Sequence, residues 1–236
     1  MANAAAERPQ LSVIIPALDE AAMIPATLQA LQSLRTRGHE VIVVDGGSRD
    51  GTIELSRPLA DRVVTARAGR ASQMQAGAAV ASGSILWFLH ADTLPPPDAD
   101  RLILAKLMQG RAAWGRFDVG FPQGPQLLRT VAWMMNQRSR LSGIVTGDQG
   151  LFVTRRLYHI AGGFPDIPLM EDIALSRALR RHGRPARIQQ PVITSPRRWQ
   201  THGVLRTILR MWALRLAYFL GVNPRRLAAC YAAHRS

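Results

Sequence analysis

The chain has 236 residues, 47% of them apolar and 19% charged, enough for one large domain or two small ones. This balance excludes a disordered chain, a collagen-like chain and a multi-span membrane protein. Thirty Lys and Arg against sixteen Asp and Glu give a formal net charge of +14. Cys230, the single cysteine, excludes an intrachain disulfide framework and a thiolate zinc cluster.

Met1–Gln10 is Ala-rich and has no basic start followed by an apolar run, so it does not read as a secretory signal. With the lone cysteine, this predicts a reducing, cytoplasmic setting. Leu11–Pro16, Glu40–Asp45, Arg62–Thr65 and Ser84–Leu89 are short apolar runs. Continuous rather than alternating apolarity predicts parallel strands buried on both faces. Between them lie helical patterns. Ile24, Leu28 and Leu31 recur at i, i+4, i+7 behind Asp19 and Glu20, with Pro25 in the first turn. Asp50-Gly51-Thr52 reads as the cap of a second helix. Gly69–Ala81 is small and Ala-rich, a third helix able to pack closely on the sheet.

The second half is more mixed. Residues 112–121 predict a strand, 125–141 a helix, and Gly147–Gly150 the opening of a strand through Val153. Gly162–Pro165 predicts a turn, and Asp172 starts a helix ending near Arg181, before Gly183 and Pro185. Val204–Val222 is the longest apolar stretch, but Arg206, Arg210 and Arg215 argue against a spanning helix. Its apolar positions continue the helical pattern for several turns. That fits a helix lying on a membrane surface, docked on a partner, or folded back on its own domain. No acidic residue follows Asp172, whereas thirteen arginines do, from Arg177 to Arg235. The asymmetry predicts an anionic partner, although a codon bias toward arginine accounts for part of it.

Alternating strands and helices predict a doubly wound α/β layer, whose ligands sit beyond the carboxyl ends of the strands. Polar residues follow three of the four predicted strands: Asp19-Glu20, Asp45 with Gly46-Gly47-Ser48, and His90-Ala91-Asp92. Asp45 can read a nucleobase edge or ribose hydroxyls, or simply make a turn. Asp92 can hold a divalent metal against a diphosphate, with His90 as a nitrogen ligand, or the pair can be an ordinary surface contact. Glu171-Asp172 offers a general base or an N-cap. Arg197-Arg198-Trp199 offers two guanidinium groups for phosphate beside an aromatic platform, or a solvated turn. His202 is a further candidate ligand or a helix-start residue.

In their order and spacing these segments resemble the family 2 glycosyltransferases of the GT-A fold, over about residues 10 to 200. The resemblance rests on Ser12–Glu20, Val43–Thr52, Gly69–Gly77, His90–Thr93, Glu171-Asp172 and Arg198-Trp199. The compact form with His90-Ala-Asp-Thr93, Gly147-Asp-Gln-Gly150 and Pro168-Leu-Met-Glu-Asp172 looks like a small bacterial transferase-2-like subfamily, some of whose members are labelled arsenosugar-biosynthesis glycosyltransferases.

The resemblance implies a GT-A, Rossmann-like mixed sheet flanked by helices over residues 1–200, and a basic amphipathic helical extension over 201–236. It implies an inverting hexosyltransferase-like enzyme using a nucleotide diphosphate sugar, UDP by default. The nucleotide would be met by Pro16, Ala17, Leu18, Glu20, Asp45, Gly47, Ser48, Arg70, Gln73 and Ala91. Asp92, with His90 or His202, would hold Mg²⁺ or Mn²⁺. Asp172, beside Glu171, would deprotonate the acceptor, while Arg198, Trp199, Gly147, Asp148 and Gln149 would meet diphosphate and acceptor.

The chain departs from the pattern in three places. Gly46 replaces the second Asp of the nucleotide turn, His90 the first Asp of the metal motif, and Ser195 the Gln of the Gln-x-x-Arg-Trp motif. The last argues against a processive polysaccharide synthase. The acceptor is expected to be a small molecule or a lipid, with possible contact to the anionic inner membrane face and possible homodimerisation. The competing classes are a nucleotidyltransferase of related fold, an inactive scaffold, and a basic nucleic-acid-binding protein. Residues 16–30 hold no glycine or base for a diphosphate loop, and no nucleic-acid module is recognisable. The transferase reading requires Asp45, Asp92 and Asp172 to converge on one cavity.

Overall fold

A computed structural model of the chain describes residues 10–110, 112–121 and 126–232, apart from the side chains of Arg198, Gln200, His202 and Ala232. The Val/Ile runs form β1 (Leu11–Ala17) and β2 (Glu40–Asp45), buried along their whole lengths. β3 (Arg62–Thr65) lies beside β2 and β4 (Ile85–Phe88) beside β1, all four strands parallel. Alternate residues of β1 and β2 feed two cores. Val13, Ile15, Val41 and Val43 point to one face, Ile14, Ile42 and Val44 to the other.

The first face is covered by α1 (Ile24–Ala30), α2 (Gln32–Thr36) and α5 (Ala99–Met108), with Ile24, Leu28, Leu31, Leu34 and Ile103 in the shared core. The other face carries α4 (Arg70–Val80). Its small residues let it sit close to the sheet. A Cβ on Gly77 would strike the Ile14 Cγ2 methyl and come within 2.9 Å of Val44 Cγ2. The short α3 (Thr52–Ser56) starts at Gly51, whose φ of +86° suits glycine. Gly51 is the N-cap and no side chain caps the helix; Asp50, one residue before it, accepts the Thr52 amide at 3.2 Å.

A mixed half extends the sheet, with three antiparallel pairings and one parallel one. β4 pairs with β7 (Phe152–Thr154), β7 with β6 (Trp114–Gly120), β6 with β8 (Ala186–Thr194), the parallel pair, and β8 with the two-residue β5 (Thr93–Leu94). The order β3-β2-β1-β4-β7-β6-β8-β5 is therefore mixed. Gly147–Gln149 is a 3₁₀ turn and not the start of a strand; a Thr146–Gln149 capping box closes it. α6 (Gln126–Ser142) covers β6, and α7 (Arg155–Ile160) follows β7. α8 (Glu171–Arg180) begins one residue earlier than expected and is capped by Met170, so Asp172 lies inside its first turn. After α9 (Arg197–His202), α10 (Val204–Phe219) and α11 (Pro224–Ala232) fold back. Leu214 and Leu227 join Ile144, Met170 and Ile173 in a third apolar cluster. Among the described residues no helix is long and apolar enough to cross a membrane.

Candidate active site

The carboxyl ends of β1, β2 and β4 share one rim, and hydrogen bonds tie their loops together. The Asp19 amide donates to Ser48 Oγ at 2.9 Å, and the Arg49 amide donates to Asp19 Oδ1 at 2.8 Å. The Ser195 amide donates to the Asp92 carbonyl at 3.1 Å, joining the β4 loop to the end of β8. A cavity of about 580 Å³ opens above this rim. Pro16, Ala17, Leu18 and Glu20 line it after β1, Arg70 and Gln73 from the first turn of α4, and His90, Ala91 and Asp92 after β4. Of the other expected residues, Asp148, Glu171 and Trp199 line it too, whereas Gly47 and Ser48 do not.

Several candidates take other places. Asp45 is fully buried, and its Oδ2 accepts the amides of Gly47 at 2.7 Å and Ser48 at 3.1 Å. Its carboxylate shapes the turn and does not line the cavity. Gln73 reaches the cavity wall, but its amide is engaged. Nε2 donates to the Ala17 and Val44 carbonyls at 2.7 and 2.8 Å, clamping β1 to β2. Gln149 is buried in its capping box. Asp172 and Gly147 line a separate pocket of about 20 Å³, which shares Arg70, His90 and Glu171 with the large cavity. The expected convergence of Asp45, Asp92 and Asp172 on one cavity is therefore not met: Asp92 lines the main cavity, Asp172 the small adjoining pocket, and Asp45 is spent on its own turn. The Arg198 and His202 side chains lie outside the described residues.

The two carboxyls at the start of α8 differ sharply. Asp172 accepts the Gly147 amide at 2.9 Å and the Ile173 amide at 2.7 Å. Glu171 is buried, and burial plus the adjacent Asp172 charge push its pKa up to about 7, against the pull of Arg70. Arg70 stands in the cavity wall. Desolvation opposes its charge, but Glu171, Asp148, Tyr231 and Asp172 outweigh this and raise its pKa. Burial raises Glu20 too, with Asp92 adding to it and Arg197, 3.0 Å away, opposing. A carboxyl with a pKa near neutrality in a cleft beside a cation is the environment general bases occupy.

Asp92 offers a carboxylate whose nearest donor among the described side chains is Thr93 Oγ1, at 3.4 Å. Among the described residues no group of three or more His, Cys, Asp or Glu is arranged to hold a metal. One hard carboxylate next to room for a diphosphate still fits Mg²⁺ or Mn²⁺, which commonly take one or two carboxylates plus phosphate oxygens. His90 is committed elsewhere: its Nδ1 lies 3.3 Å from Asp148 Oδ1, and its Nε2 edge packs on Gly147.

Sequence reasoning missed the far wall. Thr194, Arg206, Thr207, Arg210, Met211 and Tyr231 also line the cavity, beside the anticipated Arg197. Arg206 and Arg210 are one helical turn apart, a spacing visible in the sequence, but nothing there says which way the helix faces. Arg210 donates to the Cys230 carbonyl at 3.1 Å and stacks 4.9 Å from the Tyr231 ring centroid, holding α11 against α10.

Residues 12–159 match the model of the family described as Glycosyl transferase family 2. A PGL/p-HBAD biosynthesis glycosyltransferase of Mycobacterium bovis is 35% identical over 91 residues, 36% of either chain. An undecaprenyl-phosphate 4-deoxy-4-formamido-L-arabinose transferase of Aeromonas hydrophila is 26% identical over 162 residues, 64% of this chain and 49% of that one. The chain therefore matches only about a third to a half of the length of these curated relatives. A crystal structure of glucosyl-3-phosphoglycerate synthase from Mycobacterium tuberculosis, in complex with Mn²⁺, UDP and glucosyl-3-phosphoglycerate, superposes with a TM-score of 0.60. It is 21% identical and covers 81% of this chain and 73% of its own. The mixed sheet and its flanking helices have the GT-A architecture.

Proposed function

The chain belongs to glycosyl transferase family 2, a family of enzymes, and from that premise we propose that it transfers a sugar from a nucleotide diphosphate sugar to an acceptor hydroxyl or lipid phosphate, with inversion. The observation that carries the reading is that Asp92, Arg70 and Glu171 share one cavity at the carboxyl rim of the sheet. Pro16, Ala17 and Leu18 form the nucleotide wall. Arg70 meets the diphosphate, and Asp92 is the carboxylate for Mg²⁺ or Mn²⁺. When bound, that ion supplies positive charge to the departing diphosphate. The acceptor oxygen attacks the anomeric carbon, and the bond to the diphosphate breaks, its electron pair leaving with the phosphate. Arg70 offsets that charge as it develops, worth most in a water-poor cleft.

The proton of the attacking hydroxyl goes to the Glu171–Asp172 pair. Glu171 faces the main cavity and titrates at about 7, so it accepts the proton. Asp172, the residue expected for this role, instead holds the Gly147 turn and, by its charge, raises the Glu171 pKa. UDP-sugars are the first donors to try, given the UDP in the structurally similar synthase. The Aeromonas transferase, named for its undecaprenyl-phosphate substrate, makes a lipid phosphate acceptor a concrete option.

A panel of UDP-, GDP- and dTDP-sugars, scored by thermal stabilisation with and without Mn²⁺ and then by release of nucleoside diphosphate, tests the reading. Metal-dependent stabilisation by one nucleotide series and release of its diphosphate are expected. Indifference to every nucleotide sugar would overturn it.

A further inference from the structure

One helix of the cavity wall is apolar on both sides. The inward face of α10 carries Thr207 and Leu214, both buried, and its Met211 lines the cavity. The outward face carries Leu205, Leu209, Trp212, Leu216 and Phe219, spaced 4, 3, 4 and 3 residues apart, and Leu220 extends it. These six side chains are 54–76% exposed. At 100° per residue they form a single stripe about 100° wide, roughly opposite Thr207 and Leu214. A contiguous exposed stripe of this size marks a surface made to be covered.

The charge around the stripe decides what covers it. Residues 173–236 contain thirteen arginines and no Asp or Glu. Arg177 lies over the Phe219 ring, 5.9 Å from its centroid. Arg206, Arg225 and Arg226 are exposed nearby along α10 and α11. Two copies of this face brought together would set arginine against arginine without a compensating carboxylate from this part of the chain. A bilayer with anionic headgroups meets both demands, taking the stripe into its interface and the guanidinium groups onto its phosphates.

We propose that the outer face of α10 docks on an anionic lipid membrane and brings the cavity mouth to the bilayer surface. Arg206 and Arg210 belong both to the docking helix and to the cavity wall, so the site opens where a headgroup-bearing acceptor would arrive. That statement about the acceptor rests on the transferase reading; the docking does not.

Co-sedimentation of the full chain with phosphatidylcholine vesicles and with 3:1 phosphatidylcholine:phosphatidylglycerol vesicles, no donor present, tests docking by itself. Binding to the anionic vesicles should be at least about tenfold stronger and should weaken in 0.5 M salt. The double variant Leu209→Ser/Leu216→Ser should lose about tenfold or more of the partitioning. Arg225→Glu/Arg226→Glu, which leaves the stripe intact, should lose mainly the preference for anionic lipid. Trp212 fluorescence should shift to the blue on binding, and the shift should vanish in Trp212→Phe, which still binds. Equal partitioning of wild type and the double serine variant would overturn the proposal. So would a wild-type dimer, seen by light scattering, that the serine pair splits, since the face would then join two copies. Donor hydrolysis without vesicles is scored separately, so loss of docking and loss of transferase activity are distinguishable.

Discussion

Glu171→Gln makes the sharpest test, because it should raise stability and remove turnover together. The Glu171 pKa is raised from 4.5 to about 7, mainly by burial and then by Asp172. Between those values the folded state binds more protons at this site than the unfolded chain does. The resulting stability is fully present below 4.5 and is lost as pH rises through 7. At pH 8 the ionised carboxylate therefore costs on the order of 3 kcal/mol, at 1.36 kcal/mol per tenfold. Glutamine keeps the shape and drops the charge. Melting temperature at pH 8 should rise by roughly 6–12 °C as an upper bound for a chain of this size, with little change at pH 4. Nucleoside diphosphate release should fall by about two to four orders of magnitude, the usual worth of a general base, while nucleotide affinity stays within a few-fold. In the wild type kcat should climb with pH to a plateau above about 7. In Asp172→Asn the like charge is gone, the Glu171 pKa falls, and the rise should move to lower pH. Calorimetry and a pH–rate profile check all of this. If Glu171→Gln keeps turnover while Asp172→Asn abolishes it at every pH, the roles of the pair are reversed. If the melting gain is the same at pH 4 and pH 8, the buried-charge account fails.

Asp92→Ala should remove metal-dependent nucleotide affinity, so titration heats measured with and without Mn²⁺ should become alike. Arg70→Ala should weaken nucleotide binding about tenfold or more, seen in the same titration, because a charged hydrogen bond to phosphate is worth roughly 1.5–3 kcal/mol. Asp118→Ala should destabilise by about 3–5 kcal/mol in urea unfolding, since it strips the carboxylate that Arg116, almost wholly buried, and Arg187 share. Gly147→Ala should cut turnover with little loss of fold, because the new methyl collides with the His90 ring and displaces it from Asp148.

The parallel half of the fold was legible because its signals are local and mutually consistent. β2 and β3 lie on their predicted bounds, since both are short β-branched runs bounded by loops or turns. The mixed half was harder. β8 was not anticipated: Gln189, Gln190 and Pro191 interrupt its pattern, and its pairing with β6 shifts register between Phe117 and Asp118. Helix α5 falls in a stretch to which the sequence reading assigns no element. The mixed sheet order is a matter of which distant strands find each other, and no window of sequence carries that.

At the site, the sequence told which residues gather at the rim but not which way each one faces. Asp45, Gln73 and Gln149 belong to the recognisable segments, yet each commits its polar groups to the protein itself: a turn, a clamp between strands, a capping box. A buried polar side chain must find partners, and backbone amides and carbonyls are the nearest ones. A residue that builds a loop and a residue that touches a ligand therefore leave the same trace in a motif. The two are separated only by where the lone pairs point. Asp92, Arg70 and Glu171 have open sides toward the cavity, and on that ground the chemistry is assigned to them. The same reasoning explains why the helical wall escaped notice. In the sequence its arginines argue against a spanning helix, and it is the packing of Leu214 and Leu227 on Met170 and Ile173 that turns one flank of α10 into cavity and leaves the other bare.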